Sequence, residues 1–414
     1  MQIKYQAIIL GGGEKAGNML FPLCQNFSKS LLPIGNKPMI LYQLDVLETA
    51  GFGPQDILIL ITKNHQPVAD LVQRRAEIFY VSDDSESGSA LLEAQEKIKK
   101  DFILLSNDIL IDANILDLLD FHYSQKATIT CLIKEEDLDK KQGRAPISCN
   151  LDESFDIMFI GSNNSLLHMT TKQNDDELNL KVSKNVLLSC ESVQVMTNLF
   201  DTHIYVCKYD VLELFKQLSK QGLDIQNWKE EFLPFVIKHQ KNINLLNLIS
   251  KKEQELFHER KQYQFSIKVF ITKEYARRVN NIKDYQQANF ESMIQGDKRI
   301  PLYQGLQDLQ NQVQYPQDAR ISPDTIIGEG TRIGNKVTIQ RSIIGKNCTI
   351  GDHVKISNSI IMKNVVINSD CIIQHCILSN ESAIGHGTEL NKCNLGYLAS
   401  VDPNQKLGDE CIIR

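Results

Sequence analysis

The chain has 414 residues, of which 42% are hydrophobic and 23% charged, with a formal net charge of −6. This composition is typical of globular proteins, and the length is enough for two or three domains. The negative balance argues against a general nucleic-acid-binding protein, which would normally be basic. No apolar stretch approaches the roughly 18 residues of a membrane helix.

The N-terminal sequence and the spacing of the cysteines indicate the cellular compartment of the protein. The N-terminus enters the first predicted strand directly and leaves no room for a signal peptide. Ten cysteines are scattered without a C-x-x-C pair, which favours neither a zinc site nor a disulfide framework. We therefore expect a cytosolic protein with reduced thiols, no metal and no cofactor.

The N-terminal stretch joins a short apolar strand to a glycine-rich loop. Ala7–Leu10 is followed at once by Gly11, Gly12 and Gly13, which allow a sharp turn and a close approach of the backbone to a ligand. A basic residue, Lys29, returns further along the same block, before the sequence Leu-Leu-Pro-Ile-Gly-Asn-Lys-Pro. The block predicts a nucleotide-phosphate loop, although a glycine turn with no ligand is the other interpretation.

Strands and helices then alternate, and the strands lack polar alternation, which predicts an α/β domain with a doubly wound, mainly parallel sheet. Asp108 ends the fourth strand, at the sheet edge where ligands bind in such folds. A carboxylate there suits Mg²⁺ held jointly with a phosphate, or it caps the following helix. His203 lies in an apolar alternating run and is interpreted as a core histidine.

The C-terminal part is a repeat. Apolar residues recur at spacings of six, six and five, giving a period of 17 that stacks Ile327, Ile344, Ile361, Leu378 and Leu395 in one column. A second column contains small residues, among them two cysteines that we interpret as structural: Thr325, Ser342, Ser359, Cys376 and Cys393. Such a period predicts a parallel β-helix, expected to be left-handed, whose coils bury a common core by stacking.

These patterns predict four segments. An α/β domain occupies residues 1–290, and a linker with one short helix follows at 291–318. The left-handed β-helix of hexapeptide repeats spans 319–402, and residues 403–414 are predicted to be a tail.

The combination of this N-terminal block with a hexapeptide β-helix resembles the sugar-phosphate nucleotidyltransferases over nearly the whole chain. In those enzymes an arginine of the loop and a lysine bind phosphates, and two aspartates hold Mg²⁺. Here Lys29 and Asp108 match, but Met19 stands at the arginine position and Arg278 at the second aspartate. The resemblance therefore implies a pseudo-transferase with a vestigial nucleotide site at Gly11, Gly12, Gly13, Lys29 and Asp108 and no catalytic residue.

The gamma and epsilon subunits of translation initiation factor 2B combine this architecture with such losses, and the chain is most similar to the gamma type. The stretches that carry the resemblance begin at Ser30, Leu105 and Leu199, and the chain ends at Arg414, without the further helical domain of the epsilon subunits. The resemblance implies a cytosolic, non-catalytic subunit of a guanine-nucleotide exchange complex. Its implied partners are the epsilon subunit, the other subunits of the complex and the GTPase initiation factor 2, with no direct contact to nucleic acid or membrane.

Two alternatives remain open. An active or regulatory sugar-1-phosphate nucleotidyltransferase of the mannose-1-phosphate guanylyltransferase type would use the same loop. A hexapeptide acyltransferase would need a catalytic histidine in the coils. His353, His375 and His386 are the candidates there, and the sequence shows no acid to support them.

Overall fold

The computed structural model describes residues 4–11, 19–24, 28–136, 156–171, 190–220, 223, 225–240, 265–294, 300–303 and 315–412. The chain divides into two compact units. The first contains Met1–Lys15, Leu44–Ile109 and Ala113–Ala276, and the second contains Ala16–Gln43, Leu110–Asp112 and Arg277–Arg414. Among the described residues, the helices are all too short or too polar to cross a membrane.

The core of the first unit is a nine-stranded sheet with β1 (Gln6–Leu10) near its centre. This strand pairs in parallel with β4 (Ile57–Thr62) on one side and β6 (Phe102–Ser106) on the other. β5 (Glu77–Val81) continues the parallel part beside β4. β4 is buried along its whole length, as expected of a strand covered on both faces.

The other half of the sheet is antiparallel and is organised by the long strand β11 (Val193–Cys207). It pairs antiparallel with β6, β8 (Ile129–Glu135) and β9 (Asp156–Gly161), and β9 pairs antiparallel with β10 (Leu166–Thr171). β12 (Ile267–Thr272) returns parallel to β8. The predicted α/β class is confirmed, and the sheet is mixed because β11 reverses the direction of the chain.

Helices flank the strands as the apolar spacing predicts. Within the described residues, the α-helices outside the coils are α1 (Met39–Thr49), α2 (Gln66–Val72), α3 (Ser87–Glu93), α4 (Ile115–Ser124), α5 (Asp210–Lys220), α6 (Leu233–His239) and α7 (Ile282–Ser292). A π-helix, Trp228–Phe232, leads directly into α6. Residues 228–239 are therefore helical throughout, with a wider first turn.

One buried histidine on α4 makes stability depend on pH. The ring of His122 is buried, with Nδ1 2.8 Å from Thr130 Oγ1, and burial together with the charge of Lys208 lowers its pKa to about 4. The unfolded chain, with a histidine pKa near 6.5, binds the proton more readily between these values. The contribution of the neutral His122 ring to the free energy of unfolding is therefore fully present above pH 6.5 and is lost as the pH falls toward 4.

We expect wild-type protein to lose up to about 3 kcal/mol more than His122→Gln as the pH falls from 7 to 4. Urea unfolding at several pH values measures this difference, because the carboxylates titrate alike in both proteins. Parallel pH profiles for the two proteins would contradict the prediction.

The second unit contains a small hairpin, β2 (Pro33–Ile34) and β3 (Lys37–Pro38), and most of a two-stranded sheet of β7 (Ile109–Ile111) and β13 (Ala276–Arg278). The rest of its strands form parallel sheets of six, six and five strands. These strands are β14 (Arg320–Ile321), β15 (Ile326–Ile327), β16 (Arg332–Ile333), β17 (Thr338–Gln340), β18 (Ile343–Ile344), β19 (Thr349–Ile350), β20 (Lys355–Ser357), β21 (Ile360–Ile361), β22 (Val366–Ile367), β23 (Ile372–Gln374), β24 (Ile377–Leu378), β25 (Ala383–Ile384), β26 (Glu389–Asn391), β27 (Asn394–Leu395), β28 (Ser400–Val401), β29 (Lys406–Gly408) and β30 (Cys411–Ile412).

The 17-residue period predicted from the sequence is the register of these sheets. Ile327 pairs with Ile344 and Ile344 with Ile361, and the same column continues through Leu378 and Leu395. All five side chains are buried in one core. The β-helix is therefore confirmed, because each column of the sequence is a stack of side chains in the structure.

The small-residue column forms a hydrogen-bond ladder inside the coils. Ser359 Oγ accepts from the backbone N–H of Cys376 at 3.1 Å and donates to the Ser357 carbonyl at 2.8 Å. One coil later, the Cys376 sulfur takes both roles, toward the N–H of Cys393 and the carbonyl of Gln374. Burial raises the pKa of the Cys376 thiol to about 12, so this cysteine is structural, as predicted.

Two predicted boundaries differ from the structure. β29 and β30 pair with β26 and β27, so the prediction of a tail from residue 403 is wrong because the coils continue through Ile412. Residues 16–43 and 277–290 belong to the compact unit that contains the coils, rather than to the α/β unit. In the predicted linker, α7 ends at Ser292 and a short 3-10 helix covers Pro301–Tyr303, whereas residues 304–314 lie outside the described part of the chain.

Candidate functional site

The carboxyl ends of β1 and β6 meet at the predicted nucleotide loop. The N–H of Gly11 donates to the Leu60 carbonyl at 2.6 Å, and the amide of Asn107 donates to the Gly11 carbonyl at 2.6 Å. The backbone N–H of Asn107 also donates to the Leu10 carbonyl. Gly11 is therefore bound from both neighbouring strands.

Gly11 also has no space for a side chain. A Cβ at this position would lie 2.3 Å from Ile61 Cγ2 and 2.5 Å from the Leu60 carbonyl oxygen. The packing of β1 against β4 thus requires this glycine whether or not a ligand binds. Gly12 and Gly13 lie outside the described residues, so their part in a phosphate loop stays a prediction.

Asp108 is placed at the predicted edge of the sheet, but it is fully buried. Its Oδ1 accepts a hydrogen bond from Ser106 Oγ at 2.5 Å. Within the described residues, groups of three or more His, Cys, Asp or Glu able to hold a metal ion are absent. Complete burial and the hydrogen bond from Ser106 distinguish Asp108 from a carboxylate that is open to a metal ion and a phosphate.

The other predicted positions belong to the second unit. Lys29 opens a short 3-10 helix, Lys29–Leu31, capped by Ser28, whose Oγ accepts from the N–H of Ser30 at 3.3 Å. Met19, which the sequence analysis aligns with the arginine of the transferases, is exposed over 59% of its surface. The predicted site residues are thus divided between the units: Gly11 and Asp108 in the first, Met19, Lys29 and Arg278 in the second.

Arg278, which the sequence analysis aligns with the second metal ligand of the transferases, lies in β13, near charged groups that pair with each other. Its neighbour Arg277 forms two hydrogen bonds to the carboxylate of Glu291, both at 2.9 Å. Asp284 is bound to the side chain of Asn281, which caps α7 by accepting from the Asp284 N–H at 2.8 Å. Asp284 and Glu291 are thus hydrogen-bonded to Asn281 and Arg277, respectively.

A buried charge cluster in the first unit was not predicted. The two carboxylates of Asp156 and Asp201 are within 2% of full burial, and Asp156 Oδ2 accepts from the Asp201 N–H at 3.1 Å. Lys229 Nζ lies 3.4 Å from Asp201 Oδ2 and 3.9 Å from Asp156 Oδ2. Tyr205 OH donates to Asp201 Oδ2 at 2.7 Å. One lysine thus faces two buried carboxylates.

The environment keeps Asp201 ionised. Burial by itself would raise the pKa of this carboxyl, but the attraction of Lys229 outweighs it, with help from His203 and the Tyr205 hydroxyl. The pKa of Asp201 is therefore lowered. A buried ion pair of this kind requires each partner, because either charge alone would be desolvated without compensation.

Backbone irregularities converge on the same cluster. The pairing of β11 with β8 shifts register between Asp201 and Ile204, and His203 within this bulge has φ of 56°. Lys229 lies on the π-helix. The predicted core position of His203 holds, since its side chain is only 12% exposed. The signal in the sequence was the polar Asp-Thr-His run inside an apolar strand, which periodicity alone does not explain.

The coil histidines have an acid that the sequence analysis did not expect. Asp370 Oδ1 lies 3.4 Å from His353 Nδ1, and Asp370 Oδ2 lies 3.7 Å from His386 Nδ1. The expectation that these histidines lack a supporting acid is therefore wrong for two of them. The side chains of His353, His386 and Asp370 are more than half exposed on the outside of the coils, where ion pairs contribute little to stability.

Comparison with known protein families matches both parts of the chain. Residues 6–154 match the family described as nucleotidyl transferase, and residues 307–407 match the family described as the EIF2B subunit epsilon LbH domain. LbH denotes the left-handed β-helix, in agreement with the coils of the structure.

Individual relatives agree with this division. A protein of Dictyostelium discoideum named translation initiation factor eIF2B subunit gamma is 28% identical over 83% of this chain and 87% of its own length. The protein of the same name from Schizosaccharomyces pombe is 28% identical over 58% of this chain, which covers only 52% of that relative. A mannose-1-phosphate guanyltransferase of Candida albicans is 31% identical, but over 33% of this chain. The relative from Dictyostelium discoideum is thus matched through both units, and the chain is similar to proteins named eIF2B subunit gamma.

Proposed function

We propose that this chain is the gamma subunit of an eIF2B complex, which promotes GDP release and GTP loading on initiation factor 2. The observation that carries the proposal is the match through both the α/β unit and the coils to a relative of that name. The transferase relative, by contrast, aligns with only a third of the chain. A nucleotidyltransferase fold followed by a solenoid is also suited to assembly, because the coils present extended surfaces.

The proposed role is non-catalytic. Met19 cannot neutralise a triphosphate, and Arg278 places a cation where the transferases have a metal ligand. Asp108 is buried and accepts a hydrogen bond from Ser106. Exchange itself needs no nucleophile or general base, because it lowers nucleotide affinity without breaking a bond. The residues Gly11, Gly12, Gly13, Lys29 and Asp108 are proposed as the remnant of a nucleotide site.

The proposed partners follow from the family. We propose pairing with the epsilon subunit and further subunits of the complex, with initiation factor 2 as the substrate that the assembly engages in the cytosol. Direct contact with nucleic acid or membrane is not part of the proposal, in keeping with the net charge of −6.

Purification of the tagged chain from its own cells at low salt, followed by mass spectrometry and a GDP-release assay, tests this function. We expect recovery of a larger homologue with an additional helical domain, together with initiation factor 2. The recovered complex should accelerate release of labelled GDP from initiation factor 2, whereas the isolated chain should not.

The alternative is an active or regulatory sugar-1-phosphate nucleotidyltransferase. It would be favoured if the chain were recovered only with itself or with sugar-nucleotide enzymes. The same preparation would then release pyrophosphate from GTP and mannose 1-phosphate, which the proposed function excludes.

Restoring one lost residue is not expected to restore chemistry. We expect Met19→Arg to show no pyrophosphate release above background with any nucleoside triphosphate and sugar 1-phosphate, because Arg278 still occupies the second metal position. A coupled phosphate assay measures this, with an active mannose-1-phosphate guanyltransferase as positive control. Turnover by the variant would show that the transferase machinery is intact.

A further inference from the structure

The hairpin β2–β3 ends in a tight turn that is directed at the coils of its own unit. Its two turn residues, Gly35 and Asn36, both have positive φ, of 54° and 69°. Glycine and asparagine are the residues that adopt this conformation at least cost, so the turn is typical of two-residue hairpins. The sequence Gly-Asn thus explains the shape of the tip.

Three side chains from two helices bind the backbone of this hairpin. The N–H of Gly35 donates to Asn289 Oδ1 on α7 at 3.1 Å, and Tyr285 OH on the same helix donates to the Pro33 carbonyl at 2.9 Å. Tyr42 OH donates to the Ile34 carbonyl at 2.8 Å. The hairpin is therefore bound along β2 as well as at its tip.

Asn36 reaches the coil itself. Its Nδ2 donates to the Ile344 carbonyl at 2.7 Å, across 308 positions of sequence. The same carbonyl already accepts the N–H of Gly328 at 2.8 Å, in the ladder between neighbouring coils. A carbonyl oxygen has two lone pairs, so Asn36 uses the second. The Ile344 carbonyl is therefore hydrogen-bonded without Asn36, and the side chain of Asn36 adds a contact between the hairpin tip and the coil.

We propose that Asn36 is a latch, by which the coils hold residues 28–38 in one conformation. The held segment includes Lys29, on the 3-10 helix that precedes the hairpin, so the position of this lysine depends on a contact with the coil. The proposal does not rest on the function proposed above or on any bound nucleotide.

Hydrogen–deuterium exchange of the full chain tests the latch, with Asn36→Gly as the main variant. Glycine keeps the positive φ of the turn and removes only the side-chain donor. One hydrogen bond corresponds to about two- to tenfold in an equilibrium constant, so the amides of residues 28–38 should exchange about two- to tenfold faster after correction for intrinsic rates. Labelling of the Lys29 amine should accelerate alongside.

Asn36→Asp is the second variant, because a carboxylate in place of the donor would face the Ile344 carbonyl and should raise exchange further. The matched control is Asn364→Gly, an exposed coil residue that also has positive φ, of 59°, and should leave residues 28–38 unchanged. Unchanged exchange of residues 28–38 in both Asn36 variants would overturn the proposal. An equal rise in the coil peptides would overturn it too, since the contact would then belong to the folding of the coil.

Discussion

Replacement of Lys229 by methionine is expected to lower the free energy of unfolding by about 3 kcal/mol. Methionine keeps most of the side-chain volume, but Asp156 and Asp201 would remain buried together without a cation. Neutralising one of them should recover most of the loss, so we expect Lys229→Met/Asp201→Asn to be more stable than Lys229→Met. Urea unfolding at pH 7 measures all three proteins.

Lys97→Met is the matched control for this change. Lys97 Nζ lies 2.5 Å from Glu77 Oε1, closer than Lys229 is to its carboxylates, but both side chains are nearly half exposed. Exposed pairs contribute about 0 to 1 kcal/mol, so the control should lose far less stability. Equal losses in the two methionine variants would mean that burial of the carboxylates does not determine the cost.

Gly11→Ala is expected to destabilise the protein by about 3 kcal/mol, because overpacking at this position cannot be relieved by a side-chain rotation. The added Cβ would overlap both Ile61 and the backbone oxygen of Leu60, which itself accepts the Gly11 N–H. The strands β1 and β4 would have to separate at the centre of the sheet. Thermal and urea unfolding measure the effect without any ligand present.

Gly53→Ala provides the comparison within the same unit. Its added Cβ would meet only the end of the Gln55 side chain, which can rotate away, so we expect a change of less than about 0.5 kcal/mol. A neutral Gly11→Ala would mean that the glycine is retained for a ligand rather than for packing. That outcome would revive the phosphate-loop interpretation of this strand end.

The coils could be predicted in detail from the sequence because their contacts are periodic. A residue such as Ile344 touches its counterparts 17 positions before and after, so the column of side chains is visible as a column of letters. The same regularity placed Cys376 in the small-residue column and so predicted its structural role, which its hydrogen bonds bear out. The error at residue 403 arose because the last coil has fewer apolar residues, with Cys411 exposed, although its backbone pairing is unchanged.

The charge cluster and the latch could not be predicted from the periodicity of the sequence. Asp156, Asp201 and Lys229 come from two strands and a π-helix. The periodicity of each segment does not predict that their side chains come into contact. Asn36 and the Ile344 carbonyl are separated by most of the chain. Asp108 was placed correctly at the end of its strand, but its complete burial depends on neighbours that the strand pattern does not specify.

The regular stacking of the coils also means that the length of a β-helix of this kind can differ between proteins only in fixed steps. Neighbouring strands of a sheet lie about 4.8 Å apart, so one coil of 17 residues adds that distance along the axis. Gain or loss of a whole coil would leave every inward column aligned, whereas loss of a single hexapeptide would move each later strand to the next face. Length variation among such β-helices should therefore occur in whole coils, each of which moves whatever is bound at the far end by one strand spacing.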